Sequence, residues 1–125
     1  MTPIVTVLVM MALFQAKHLL ADYYWQTMWM IANKGRYGHP GGIVHAALHA
    51  MLTAPILLLA DIGALLFFWI VVIEFAVHYN IDWLKAHVIR RSGLGINDAS
   101  FWNLLGLDQA AHQLTYVAIL AVVFM

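Results

Sequence analysis

Histidine and acidic residues recur at a spacing of four in this sequence of 125 residues. On an α-helix that spacing places two side chains on one face, one turn apart. The pairs are His18 and Asp22, His45 and His49, Glu74 and His78, His78 and Asp82, and Asp108 and His112. Random placement of the seven histidines and six acids would give roughly one such pair. Imidazole and carboxylate groups bind divalent transition metals, so the pattern predicts a metal site.

The predicted ligands number eight, which is more than one ion needs. They are His18, Asp22, His45, His49, His78, Asp82, Asp108 and His112. Because zinc is saturated by about four ligands, this set predicts two divalent transition-metal ions, with zinc favoured and iron or manganese as alternatives. The sequence has no cysteine, which excludes thiolate zinc sites and cysteine nucleophiles. His39 and His87 lack a partner at this spacing and are expected in loops or at an interface.

Two further residues close to these ligands could act on a substrate. Glu74 precedes His78 by one helical turn, and Lys85 follows Asp82 by about one turn. Glu74 is predicted to act as a general base, or to accept a hydrogen bond that fixes an imidazole tautomer. Lys85 is predicted to neutralise negative charge that develops during a reaction. Its alternative is an interfacial lysine whose ammonium group extends to water, which is also the expectation for Lys17.

The composition indicates that these residues lie in a membrane. Hydrophobic residues make up 64% of the sequence and charged residues 10%, whereas soluble domains have about 45–50% and about 25%. About 20 apolar residues are needed to cross a bilayer as a helix. Four stretches qualify, at about 2–31, 43–61, 62–91 and 100–125. Residues 1–125 are therefore predicted to form a single all-α membrane domain, a four-helix bundle with up-down-up-down topology.

The N-terminal stretch and the formal net charge give further information on the class of protein. The first stretch, "MTPIVTVLVMMALF", lacks a basic segment and a small-residue cleavage pattern, so it is expected to be a retained transmembrane helix. The formal net charge is zero, which gives no indication of nucleic-acid binding. The expected partner is a membrane lipid or a lipid-linked substrate.

The order of the spans brings the histidine and acid pairs to one depth. The pairs lie late in the first and third predicted spans and early in the second and fourth. In an up-down-up-down bundle, those four positions face the same side of the membrane. Each span therefore contributes one pair to a common polar layer.

The positions of the basic residues predict which side of the membrane the polar layer faces. Apart from Lys17 they fall in two regions, Lys34 and Arg36 in the first loop, and Lys85, Arg90 and Arg91 at the end of the third span. Both regions lie on the same face as the polar layer, and the opposite face has Asp61 without lysine or arginine. By the positive-inside rule, the layer is expected on the cytoplasmic side of a bacterial inner membrane, with both termini in the periplasm.

Four segments carry a resemblance that covers nearly the whole chain, and they are "HLLADYYWQT", "KGRYGHPGGIVHAALHA", "HYNIDWLK" and "GLDQAAHQLTY". They resemble a family of small bacterial and phage integral membrane proteins of unknown function, so a phage origin is an alternative. That resemblance implies no activity. A weaker similarity, in chemistry only, links the intramembrane histidine and acid pairs to inner-membrane metal-dependent hydrolases, although the usual His-Ser motif of those proteins is absent here.

The function favoured by these observations is a di-metal hydrolase. A metal-bound water is acidified to a pKa near 7, and a second ion can hold a phosphoryl or acyl oxygen. The predicted substrate is an amphiphilic or lipid-linked ester or phosphate. The alternatives are a di-iron oxidase or hydroxylase, a metal-transport or metal-sensing protein, a phage membrane-lesion protein, and a bis-histidine haem protein.

Overall fold

The computed structural model describes residues 1–125, and every element in it is helical. The elements are α1 (Pro3–Leu19), which continues as a π-helical turn over Leu20–Tyr24, then α2 (Met28–Asn33), α3 (Pro40–Leu57), α4 (Ala64–Ser92) and α5 (Ala99–Phe124). Four segments are long and apolar enough to cross a membrane: Pro3–Tyr24, α3, α4 and α5. The predicted fold class, an all-α bundle of four spanning helices, is confirmed, and the chain is a multi-pass membrane protein.

The first predicted span differs from the structure. The apolar pattern predicts one helix over 2–31, but the spanning helix ends at Tyr24 and a separate short helix, α2, begins at Met28. The break is stabilised by Thr27, whose hydroxyl accepts a hydrogen bond from the Met30 backbone N–H at 3.3 Å. Serine and threonine favour this capping position because they satisfy a free N–H of the first helical turn.

The other three spans differ from their predicted bounds only at the ends. α3 begins at Pro40, because the His39 ring caps it by accepting the Gly41 N–H at 3.0 Å. α4 ends at Ser92, because the following Gly93 has a φ of 63°, a left-handed conformation that glycine adopts without strain. These local signals set the helix ends more sharply than hydropathy does.

The four spanning helices form a ring. α1 contacts α3 and α5, and α4 also contacts α3 and α5, so α1 and α4 lie diagonally opposite each other. α2 packs on α3. A Cβ atom on Gly42 would lie 3.3 Å from the Lys34 Cα and 3.2 Å from the Tyr79 ring, so glycine lets the loop after α2 pack closely against α3 and α4.

The interior of the ring has an apolar half and a polar half. The apolar half is a cluster of Met10, Phe14, Ile56, Leu57, Ile70, Tyr116, Ile119 and Leu120. The Phe14 and Tyr116 rings stack in it with centroids 5.0 Å apart. Many large apolar side chains lie on the outer surface instead, as expected for helices in contact with lipid. The polar half holds the histidine and acid pairs.

Candidate metal centre

All eight predicted ligands lie in this polar half, and each spanning segment contributes two of them. Seven are buried, and Asp22 is partly buried at the edge. We call the eight residues the polar layer. Its histidine rings are close together: the His49 and His78 centroids are 3.7 Å apart, and the His78 and His112 centroids are 4.1 Å apart. The spacing of four in the sequence therefore corresponds to one three-dimensional cluster.

One part of the polar layer has four atoms that could hold a metal ion. Its residues are Asp22, His45, His49 and His78, and one ligand atom from each lies within 4.8 Å of the others. The Asp22 Oδ1 atom is 3.1 Å from His45 Nε2 and 3.0 Å from His49 Nε2. Four ligands at about 2.0–2.1 Å around a tetrahedral zinc ion are themselves about 3.3 Å apart, so these spacings suit such an ion.

A second group shares His78 with the first. It consists of His78, Asp82 and His112. Asp82 Oδ2 is 3.5 Å from His78 Nε2, and Asp82 Oδ1 is 3.4 Å from His112 Nε2. Asp82 Oδ2 is also 3.0 Å from His45 Nε2, a member of the first group. The two groups are thus adjacent, with His78 and Asp82 between them.

The hydrogen bonding within these groups is incomplete. The Nε2 atoms of His45, His78 and His112 and both carboxylate oxygens of Asp82 are buried without a hydrogen-bond partner. These five atoms lie near one another without the geometry of hydrogen bonds, whereas His49 Nε2 and Asp22 Oδ1 of the first group are hydrogen-bonded at 3.0 Å. Buried polar atoms are nearly always hydrogen-bonded, and leaving one without a partner costs about 1–3 kcal/mol. Closely spaced nitrogen and oxygen atoms that do not bond one another suit a cation, so each of the two groups could hold one.

His18 and Asp108 are buried members of the polar layer that belong to neither group, although the His18 ring centroid lies 5.4 Å from that of His49 and 5.3 Å from that of His112. His18 Nδ1 is hydrogen-bonded to the Tyr116 hydroxyl at 2.9 Å, and its Nε2 is 3.0 Å from Gln109 Oε1 and 3.1 Å from Asp22 Oδ2. The Asp108 carboxylate accepts a hydrogen bond from Lys85 Nζ at 2.8 Å. These contacts suit residues that orient Asp22 and the second group, and direct metal binding by the two stays a prediction.

Asp22 lies in the π-helical turn, which the apolar pattern of the first span does not predict. The Trp25 N–H donates to the Leu20 carbonyl five residues earlier, at 2.9 Å. Such wide turns inside α-helices occur frequently at functional sites. This one carries the only carboxylate that contacts histidines on both α1 and α3, His18 on one side and His49 on the other.

The expectation that Lys17 extends to the interface is wrong. Lys17 is 4% exposed, and its ammonium group forms an ion pair with Glu74 and donates to the His49 carbonyl at 3.0 Å. The physical reason is that Glu74 is also buried, and a carboxylate without a cation is costly in hydrocarbon. The pair joins the diagonal helices α1 and α4. Glu74 hydrogen-bonds only Lys17, so the base role predicted for it stays a prediction that this pairing does not favour.

Lys34 lies next to the polar layer, whereas the sequence predicts only that it lies in a loop. It is 7% exposed. Its Nζ donates to Gln26 Oε1 at 2.8 Å and is 3.5 Å from Asp82 Oδ2. Lys85 approaches the same carboxylate from α4, with Nζ 3.8 Å from Asp82 Oδ1. The one sequence signal was the glycine-rich segment that allows the loop to fold back onto the bundle.

Replacing one partner of the Lys17–Glu74 ion pair should destabilise the protein more than replacing both partners with apolar residues. We expect Lys17→Met to cost about 3–5 kcal/mol, because it leaves the Glu74 carboxylate buried without a cation, and Lys17→Met with Glu74→Leu to recover much of that loss. The measurement is thermal unfolding in detergent, with Arg91→Met, an exposed cation on α4, as the matched control. Equal stability of the single and double variants would contradict the pairing.

Comparisons with the curated proteins and with the solved structures find no match to this chain. A family model described as "Protein of unknown function (DUF3307)" matches residues 8–125. The matched region includes every residue of the polar layer and both lysines that flank Asp82. The chain therefore belongs to the DUF3307 family.

Proposed function

We propose that this protein is a membrane-embedded di-metal hydrolase that acts on an amphiphilic or lipid-linked ester or phosphate at the cytoplasmic leaflet. The observation that carries the proposal is the convergence of two ligand groups on His78, with buried nitrogen and oxygen atoms that lack hydrogen-bond partners. Helix packing alone does not require such atoms, since apolar side chains would pack without the cost of desolvation.

The residues divide into roles by position. His45, His49 and Asp22 would hold one ion, His112 and Asp82 the other, and His78 lies between the two groups. Two divalent ions, when bound, supply Lewis-acid polarisation and an acidified water for hydrolysis. Zinc is favoured because the donors are nitrogen and oxygen, and iron or manganese would also suit them.

The charges in and around the polar layer favour an anionic substrate. The polar layer has three carboxylates, at Asp22, Asp82 and Asp108, so two divalent cations would leave it with a net positive charge. Lys34 and Lys85 add positive charge at its edge. Lys85 is placed to stabilise negative charge that develops on a substrate. Glu74 is placed to hold Lys17, which in turn fixes the backbone of His49.

The location of the basic residues supports the proposed membrane orientation. Lys34 and Lys85 contact carboxylates of the polar layer, and Arg90 contacts the Gly35 carbonyl in the loop after α2. Five of the six basic residues therefore belong to the end of the bundle that holds the layer, or to the loops next to it. Basic loops remain cytoplasmic in bacterial inner membranes, so both termini would be periplasmic.

Metal analysis of histidine variants tests the site. We expect about two ions per chain in the wild type, about one in His112→Ala, and fewer still in His78→Ala, because His78 belongs to both groups and metal binding depends on each ligand. His87→Ala is the matched control, since that ring stacks on Trp83 outside the polar layer. Elemental analysis of detergent-purified protein gives the stoichiometry. Equal metal content in all three variants would contradict the shared site.

Hydrolysis itself is tested with Lys85. We expect Lys85→Met to keep its metal and to lose about 10²-fold in turnover, the usual effect of removing a group that stabilises transition-state charge. Arg91→Met should turn over like the wild type. The assay follows hydrolysis of phospholipids, polyprenyl phosphates and acyl lipids in nanodiscs. Wild-type protein that binds two ions and cleaves none of these substrates would favour metal transport or a structural metal layer instead.

A further inference from the structure

A cavity of about 380 Å³ lies next to the polar layer, between α4, α5 and the loop after α2. Three cations line it, Lys34, Lys85 and Arg90, and no carboxylate does. Phe101 and Gly35 form part of its remaining wall. A cavity lined by three cations and no acid in a protein with zero formal net charge indicates an anionic ligand.

Hydrogen bonds within the protein occupy only some of the N–H donors of Arg90 and Lys34. Arg90 Nη2 donates to the Gly35 carbonyl at 2.7 Å, and Lys34 Nζ donates to Gln26 Oε1 at 2.8 Å. Both of these partners are neutral. Lys34 Nζ also lies 3.5 Å from Asp82 Oδ2, and Lys85 Nζ donates to Asp108 Oδ2 at 2.8 Å, so Arg90 is the one cation of the three without a carboxylate partner. A guanidinium group has five N–H donors and an ammonium group three, so several remain for a ligand. Arginine and lysine together are the usual recognition groups for phosphate.

An apolar groove begins at the same lysine. A cavity of about 310 Å³ between α4 and α5 shares Lys85 with the cationic cavity, and its lining is mainly apolar, with Leu84, Leu107 and Ala111, beside the one carboxylate Asp108. Ala111 in turn lines a further, mainly apolar cavity of about 560 Å³ that continues between the two helices to Val122 and has Glu74, the partner of Lys17, as its one charged residue. From Leu107 to Val122, α5 rises about 23 Å. The groove lies on the lipid-facing side, since Leu107 and Val122 are 68% and 56% exposed.

We propose that the ligand of this site is a phosphate-bearing lipid, with its phosphate among Lys34, Lys85 and Arg90 and its alkyl chain in the groove between α4 and α5. The proposal rests on the proposed function and names the substrate class for it. Lys85 is the junction, because it lines both cavities and its Nζ is 2.8 Å from Asp108 of the polar layer. An anionic headgroup joined to a long apolar chain fills both cavities, whereas a free phosphate ion fills only the first.

Binding is measured apart from hydrolysis by native mass spectrometry of the purified protein in neutral detergent. The probes are phosphatidic acid, diacylglycerol with the same chains, and inorganic phosphate. Phosphatidic acid should bind at least about tenfold more tightly than diacylglycerol, since charge-assisted hydrogen bonds to the phosphate are lost in the latter. Inorganic phosphate should compete weakly, because it gains nothing from the groove.

Two variants with matched controls locate the lipid. Arg90→Gln should weaken phosphatidic acid binding about tenfold, with Arg91→Gln, on the same turn of α4, as its control. Ala118→Trp should weaken binding by filling the groove, with Val117→Trp as its control, since Ala118 lines the groove and Val117 does not. Metal content is measured beside binding in every variant, so that loss of the polar layer is recognised separately.

Three outcomes would overturn the proposal. They are equal affinity for phosphatidic acid and diacylglycerol, an equal loss in a variant and its control, and full competition by inorganic phosphate with no effect of Ala118→Trp. The last outcome would assign the cavity to a free anion. Any of them, obtained with metal content intact, would leave the hydrolase proposal standing for a different substrate.

Discussion

The Asp82 carboxylate lies among three histidines, and both of its oxygens are buried without a hydrogen-bond partner. A charged carboxylate inside a membrane helix costs about 2.5–3.5 kcal/mol on insertion scales, and the polar layer has three. Nearby cations offset that cost, and Lys34 and Lys85 lie 3.5 Å and 3.8 Å from the Asp82 carboxylate. The rest of the structure holds two polar residues from each of the four spanning segments at one depth.

The apolar cluster and the Lys17–Glu74 pair provide that support from the other half of the bundle. The stacked Phe14 and Tyr116 rings join α1 to α5, and the Tyr116 hydroxyl also reaches His18 in the polar layer. Lys17 joins α1 to α4 and bonds the backbone of His49. Because the same side chains contact both halves, metal binding and helix packing should depend on each other, as they do wherever ligands are brought together only by folding.

Much of this arrangement could be predicted from the sequence, because its main signal is periodic. The spacing of four between His78 and Asp82 defines a helix face, and the order of the spans defines a depth, so the polar layer follows from pattern alone. The apolar composition likewise predicts four spans, and the structure confirms that fold. Periodicity describes residues within one helix, so it correctly predicts which side chains share a helix face.

The features that were missed depend on contacts between distant parts of the chain. Lys17 pairs with a residue 57 positions away, and no local pattern distinguishes that pair from a lysine at an interface. Lys34 reaches Asp82 because glycines let its loop pack closely, a fact of tertiary packing. The break before α2 falls within an apolar stretch, and its sequence signal is a single capping residue, Thr27. The π-helical turn at Asp22 has no recognisable signal in composition.

X-ray absorption spectroscopy of the purified protein can show whether the polar layer holds two adjacent metal ions. We expect a first shell of nitrogen and oxygen atoms at about 2.0–2.1 Å, scattering from imidazole rings, and a second metal at about 3.5–4 Å. The neighbouring metal should disappear in His78→Ala while His87→Ala keeps it. Metal bound in the wild type without imidazole scattering or a neighbouring metal would rule out a two-metal polar layer.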